Sequence, residues 1–471
     1  MFCKESLEMN YQPYVEERFD AYVKDLDDLV SIESVRDVEH AAENAPFGPR
    51  IAKALDTLLE MGKRDGFVVK NYDGNAGVIT LGEGEESVGV LGHLDIVPLG
   101  DGWSKNPLKV TEENGYLYGR GVLDDKGPLL AGYYAMKIIK DLQIPLKKKI
   151  MLIAGTDEES GMGGIKAYLK NGGPVPDMGF TPDADFPVIY GEKGHIHIHL
   201  DSDDNTIIES FEAGARPNIV IEKANAVLST DQLDTKLFDF YLASNGLKGH
   251  AEVKDGKTHL YMEGTAAHGS MPYLGVNAGV YLLNYIGQAY NDQLAKDLYH
   301  LLKDWKGSPE NIDINGAYMG FLTMNPGIIT IKDHHANVVV DIRYPNDTTP
   351  EQVINGFTTA CAELASDIQA TMPEAGQPLF VDPNSKLVTD LMGAYADTTG
   401  DTFHPAITIG GGTYAKMFDN FVAFGPEKPW NRVPKGIKAG GCHEADEAIN
   451  IDDLKEAIAI YTDALVRLAG E

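Results

Sequence analysis

The chain has 471 residues, with 40 Lys plus Arg set against 71 Asp plus Glu, a formal charge of −31. That imbalance excludes a nucleic-acid binder, which needs clustered cations to release counterions, and disfavours docking on anionic lipid. At 43 % hydrophobic and 24 % charged the composition is that of a globular protein large enough for two or three cores.

In chain order, the N-terminal segment is acidic and carries no apolar h-region, so no secretory signal is visible. Residues 50–61 place Ile51, Leu55, Leu58 and Leu59 on one helical face, ending at Gly62. The apolar run 88–91 reads as a buried strand that stops at Gly92-His93-Leu94-Asp95, and 127–142 reads as a helix with Leu130, Tyr134, Ile138 and Leu142 at four-residue spacing. A second apolar strand, 149–154, ends in Gly-Thr-Asp-Glu-Glu-Ser-Gly. This alternation predicts an α/β fold, a mostly parallel sheet covered by helices. Ligands of such sheets bind beyond the carboxyl ends of the strands, where both acidic tips lie.

From about Tyr190 to Asp382 the pattern changes to alternation, in 195–200 and 337–343, with helical stretches at 233–246 and 276–304. An inserted α+β domain over 190–382 is expected there. The first domain, 1–189, resumes at 383–471 with a helix at 384–396, a Gly410-Gly411-Gly412 turn and an amphipathic helix at 451–468 carrying Leu454, Ile458 and Leu465. No stretch reaches the roughly 18 apolar residues of a membrane helix. Three cysteines, Cys3, Cys361 and Cys442, form no CxxC pair and are odd in number, which suits a reducing cytoplasm rather than a disulfide framework. A soluble, cytoplasmic protein without nucleic-acid or membrane partners is expected.

Five loops carry the chemistry. His93-Leu-Asp95 offers an imidazole with a carboxylate able to hold its other nitrogen. Gly119-Arg-Gly-Val-Leu-Asp124-Asp125-Lys-Gly127 puts two carboxylates before a helix, where the plain reading is acids complementing the helix dipole. Asp157-Glu158-Glu159 repel one another and, if buried, need a cation or a raised pKa; an exposed acidic turn is the plain reading. Pro182-Asp183-Ala-Asp185 and Gly440-Gly-Cys-His443-Glu444 complete the set. Each is ordinary alone. Together, His, Asp, Glu, Asp and His at sheet ends form a typical hydrolytic two-metal ligand set.

The ordered strings HLD, GRGVLDDKG, GTDEESG, TPDA and GGCHEADE resemble the M20 metallopeptidase family, and in length and lid size its bacterial dipeptidases, over essentially the whole chain. The resemblance implies a zinc-exopeptidase fold whose catalytic domain is interrupted by a lid. By position it implies His93 on one metal, His443 on the other, and Asp124 bridging, with a cis peptide between Asp124 and Asp125. It further implies Glu159 on the His443 metal and Asp183 beside His93, with Asp185 competing for that place. Asp95 would orient His93, and Glu158 would be the general base, taking a proton from water and delivering it to the leaving amine. Two Zn ions per subunit are implied, with Co or Mn suited to the same donors.

In the inserted domain, Gly264-Thr-Ala-Ala-His268-Gly-Ser-Met-Pro272 resembles the lid loop whose histidine stabilises an oxyanion. Asn218 and Arg343 match substrate-contacting lid positions, Arg343 suiting a bidentate grip on a free α-carboxylate; its plain reading is an ion pair with Asp341. Gly411 and Gly412, in a turn that reads as opening a helix, could offer N–H groups to the same carboxylate. His195, His197 and His199 share a strand face, but such spacing wraps an ion poorly and no acid follows in register, so a solvated face is expected. Gly161-Met-Gly-Gly164 lacks dinucleotide-loop spacing, and no GxSxG or HExxH occurs. Cys442 reads as a small buried hydrophobe.

The activity implied is a dinuclear metallodipeptidase acting on unblocked dipeptides, β-alanyl ones included. The alternative is another amide hydrolase of the family, an N-acyl amino acid deacylase or tripeptidase. Smaller-lidded relatives borrow the lid histidine from a partner subunit; a lid near 190 residues implies a monomer that roofs itself. A member that keeps the fold without the chemistry would lack a ligand or the base, and every such position here is occupied.

Overall fold

The computed structural model describes residues 9–470, so Cys3 and the first eight residues lie outside it. The chain divides into two compact units: residues up to Tyr190 with Val381–Ile407 and those from Thr413 onward, and Gly191–Phe380 with Thr408–Gly412. Among the described residues no helix is long and apolar enough to cross a membrane.

In the first unit the strand Ser87–His93 is buried at every position, as a strand covered on both faces must be. It runs parallel to Lys149–Gly155 on one side and Met178–Thr181 on the other, and Phe421–Ala423 continues the parallel set. The hairpin Val68–Tyr72 and Ala76–Leu81 adds antiparallel strands beyond Lys149–Gly155, and Ile189–Glu192 pairs antiparallel with Phe421–Ala423. The sheet is thus parallel at its centre and antiparallel at its flanks. The helices Gln12–Val30, Lys126–Asp141 and Ile451–Gly470 pack on one another and share one apolar core with the sheet. The first of these adds to the expected helices; its buried Val15, Phe19, Tyr22, Leu26 and Leu29 fall at three- and four-residue spacing on one face. Of the further helices of the unit, Pro49–Arg64 extends past the expected 50–61, Lys386–Thr399 begins two residues after and ends three residues beyond the expected 384–396, and Gly163–Lys170 was not expected.

Register positions the chemistry. His93 pairs with Gly155, so the turn after Lys149–Gly155 emerges beside the loop after Ser87–His93. Phe180 pairs with Val90, which brings the loop after Thr181 out at the same sheet end.

The second unit holds an eight-stranded antiparallel sheet, in the order Lys248–Lys254, Lys257–Glu263, Lys223–Leu228, Ile208–Ala213, Thr323–Lys332, His335–Tyr344, Gly194–Ser202, Gln369–Gly376. Burial alternates along Gly194–Ser202, with Ile196, Ile198 and Leu200 in a core shared with helices Ala278–Ala289, Gln293–Leu302 and Pro350–Ala362. The single helix expected over 276–304 is two: Asn291 takes a left-handed backbone (φ 57°), and the Asp292 side chain caps the second by accepting from Ala295 N–H. The expected 233–246 helix runs Thr235–Ser244.

The histidine strand departs from its expected solvated face. His195, His197 and His199 are half-buried, and acids do stand opposite: Glu374 and Asp341 pair across from His197, with Nδ1 3.5 Å from Glu374 and Nε2 3.6 Å from Asp341. Those acids come from strands distant in sequence, which is why spacing along one strand missed them.

Candidate metal centre

The first unit gathers its acids around two imidazoles. The His93 ring is fully buried, and its Nδ1 lies 3.0 Å from the Asp95 backbone oxygen, which can only accept. Nδ1 therefore carries a proton, and in the neutral ring Nε2 presents a lone pair. Nε2 has no hydrogen-bond partner, yet it faces Asp124 Oδ1 at 3.1 Å and Asp183 Oδ2 at 3.6 Å. A lone pair aimed at two carboxylates is repulsive unless a cation or a proton lies between them.

Asp124 turns its other oxygen to the second imidazole. Oδ2 is 2.9 Å from His443 Nε2, which is also 3.1 Å from Glu159 Oε2. His93, Asp124 and Glu159 each offer a ligand atom within 4.8 Å of the others. The peptide between Asp124 and Asp125 is cis. His443 has a left-handed backbone (φ 64°) and is exposed, as is Cys442 beside it, which corrects the expectation of a buried cysteine.

Asp95 faces the His93 ring and also holds the turn of Glu158 and Glu159. Its carboxylate accepts from the N–H groups of Glu158 (3.0 Å) and Glu159 (3.1 Å), fixing that turn, while its side chain stays 3.4 Å from the His93 ring. Asp125, read from sequence as a helix-end acid, makes no capping bond; it is fully buried and accepts from His93 N–H at 2.9 Å. A Cβ at residue 92 would stand 2.3 Å from that carboxylate, so only glycine fits there. Asp183 Oδ2 lies 3.6 Å from His93 Nε2.

The electrostatics follow. Burial pushes the Glu158 carboxyl up to about 8, with Asp183, Glu159 and Asp95 adding to the rise and His93 opposing it. Burial likewise lifts Asp183 to about 6. Burial works against ionised Asp124, but the two imidazoles hold it well below the usual carboxylate range. Asp124 and Glu159 raise His443 to about 10. For His93, burial favours the neutral ring, but the carboxylates of Asp124, Asp183 and Asp95 outweigh it and raise the pKa. An array of two histidines and three carboxylates, with one carboxylate shared, fits a pair of divalent cations by donor chemistry.

Sequence reasoning missed Tyr414, whose buried phenol lies edge-on to the His93 ring at 6.2 Å, and Glu447, one acid among many in the chain. The Gly410–Gly412 turn leads into a single 3-10 turn, Tyr414–Met417, and not an α-helix, so the expected helix N-terminus is absent there.

The second unit gathers Asn218, His268 and Arg343. His268 Nδ1 accepts from Ser270 N–H at 3.2 Å and lies 2.7 Å from Ser270 Oγ, which leaves Nε2–H as the donor of the neutral ring. Burial and the Arg343 guanidinium push the His268 pKa down, with Asp341 opposing. Asn218 accepts from Gly269 N–H at 2.7 Å through its backbone oxygen. Arg343 Nε donates to the fully buried Asp341 at 3.1 Å, so the ion pair and a free guanidinium fork coexist. Gly410 packs against Ser270, where an added Cβ would stand 2.8 Å from the serine Cβ; Gly411 is half-buried and Gly412 exposed.

Comparison with known proteins agrees over nearly the whole length. Residues 89–467 match the model of Peptidase family M20/M25/M40. The Bacillus subtilis (strain 168) protein named "Putative dipeptidase YtjP" is 35 % identical over 476 residues, covering 98 % of this chain and all of that one. A Staphylococcus epidermidis protein of the same description is 36 % identical over 467 residues, covering 95 % and 97 %. Two solved structures share the fold: human carnosine dipeptidase 1 (TM-score 0.58, 17 % identity, covering 100 % of this chain and 99 % of that one) and the di-peptidase Dug1p of Saccharomyces cerevisiae (0.57, 14 %, 98 % and 99 %). The chain belongs to peptidase family M20.

Proposed function

We propose that this peptidase is a dinuclear metallodipeptidase acting on unblocked dipeptides, β-alanyl dipeptides included. The observation that carries the reading is Asp124, whose two oxygens lie 3.1 Å and 2.9 Å from the facing nitrogens of His93 and His443. His93, Asp124 and Asp183 would hold one cation, and His443, Asp124 and Glu159 the other, with zinc the first choice and cobalt or manganese chemically acceptable. Ions held there supply Lewis-acid polarisation of a carbonyl oxygen and lower the pKa of water.

Glu158 does the proton work. Its neighbour Glu159 points at His443, while burial lifts Glu158 into the neutral range, where a carboxylate both accepts and returns a proton. In this reading Glu158 takes the proton of the attacking water and delivers it to the departing amine. Asp95 holds the turn that aims Glu158, through the N–H groups of 158 and 159.

For the second unit the assignment rests on chemistry. His268, neutral with Nε2–H as donor, suits an oxyanion. Arg343 suits the α-carboxylate, and Asn218 with Gly411 and Gly412 supplies further polar contacts to substrate. A cytoplasmic monomer completes the proposal.

The test is a panel of free dipeptides, N-acetyl amino acids and tripeptides, with metal analysis of the protein used. Preference for dipeptides, two ions per chain and loss of turnover on chelation are expected. Faster cleavage of the acetylated compound would replace the dipeptidase by an acylamino acid hydrolase, and full activity after chelation would end the metal reading.

A further inference from the structure

Glu447 lies four residues after His443 and is fully buried. Its side chain does unusual duty. One oxygen, Oε1, accepts from three backbone N–H groups of the other ligand loop, those of Gly121 (2.9 Å), Leu123 (3.0 Å) and Asp124 (3.2 Å). The other oxygen accepts from Arg120 Nη1 at 2.6 Å. Arg120 is itself buried, donates from Nη2 to Leu99 O at 3.3 Å, and lies over the Trp103 ring at 5.1 Å. Successive N–H groups converging on one carboxylate oxygen make an anion-binding concavity, here filled from within the chain.

The backbone of the same residue joins the two loops. Gly119 N–H donates to Glu447 O at 3.1 Å, Ala448 N–H donates to Gly440 O at 3.1 Å, and Ala448–Asn450 pairs with Tyr116–Tyr118. The segment bearing His443 and the segment bearing Asp124 therefore meet at Glu447 and along the strand pair that follows it.

We infer that Glu447 is a positioning residue that sets the separation of His443 from Asp124, and with it the affinity of the cation position they share with Glu159. The inference rests on the two-cation reading above. The His93 position shares Asp124 with it but depends less on Glu447, because its other two donors, His93 and Asp183, stand on or just after strands that Glu447 does not hold.

The experiment is titration of the metal-free protein with Co2+, followed by visible absorption and equilibrium dialysis, for wild type, Glu447→Gln and the pair Arg120→Gln with Glu447→Gln. Thermal unfolding of each metal-free variant reports whether it folds. The paired change replaces the buried charges by neutral partners and is the fallback where the lone amide facing Arg120 prevents folding. The expected result is two ions on wild type, and in a folded variant one ion held within threefold of wild-type affinity with the second weakened at least thirtyfold. kcat should fall at limiting metal and recover in excess Co2+, with KM for a dipeptide within threefold of wild type; a merely structural defect would not recover. A folded variant that takes both ions within threefold of wild type overturns the inference. A wild type that takes only one ion overturns the two-cation reading, and the inference with it.

Discussion

His93 and His443 in the first unit stand among carboxylates; His268 in the second stands beside a guanidinium. The same side chain is driven in opposite directions. Carboxylates raise the first pair, whereas burial and Arg343 lower His268 and favour its neutral ring. One region is built to gather positive charge and the other to donate a hydrogen bond without carrying charge. Acids show the same division. Asp124 in the first unit has an imidazole facing each oxygen, whereas Glu310 in the second is 2 % exposed and neither of its oxygens has a hydrogen-bond partner among the described residues.

The largest expected effect tests the proton carrier of the first region. Glu158→Gln should lower kcat by about 10³-fold while leaving metal content at the wild-type value. If kcat stays within tenfold with the metal retained, the proton is carried by another group.

A middle-sized effect sharpens the second region. Arg343→Met should raise KM for free dipeptides by about tenfold to a hundredfold, consistent with loss of a charge-assisted bidentate contact, and change C-terminally amidated dipeptides little. Asp341→Asn should act in the same direction but more weakly, by replacing the carboxylate that fixes Nε with a neutral, weaker acceptor. Equal losses on free and amidated substrates would mean that the guanidinium does not read the carboxylate.

The smallest effect concerns stability. Burial raises Glu310 to about 8, above its unfolded value, so its carboxyl is neutral in the fold. Its contribution to stability is full below roughly pH 4.5 and is lost as pH rises through about 8. Glu310→Gln should therefore match wild type at pH 5 and exceed it by about 2–4 kcal/mol at pH 9, read by denaturant unfolding of both proteins. Parallel pH profiles for the two would show that Glu310 ionises freely.

The ligand loops were legible because metal chemistry restricts residue types and because apolar runs ending in His or acid mark strand ends. The flanking antiparallel strands were not, since edge strands such as Val68–Tyr72 are exposed and lack an apolar run. Asp125 and Glu447 escaped for a different reason. Their work is to accept backbone N–H groups from segments far away in sequence, and an acid doing this looks like any other acid. The opposing acids of the histidine strand were hidden likewise, by pairing that only the sheet reveals.

His93 and His443 are separated by about 350 positions, and nothing local holds them together, so their meeting depends on closing a very long loop. A polypeptide still being synthesised carries the first imidazole for some 350 residues before it gains the second. A cation held by both therefore rewards only a chain that has been made past His443 and has closed that loop.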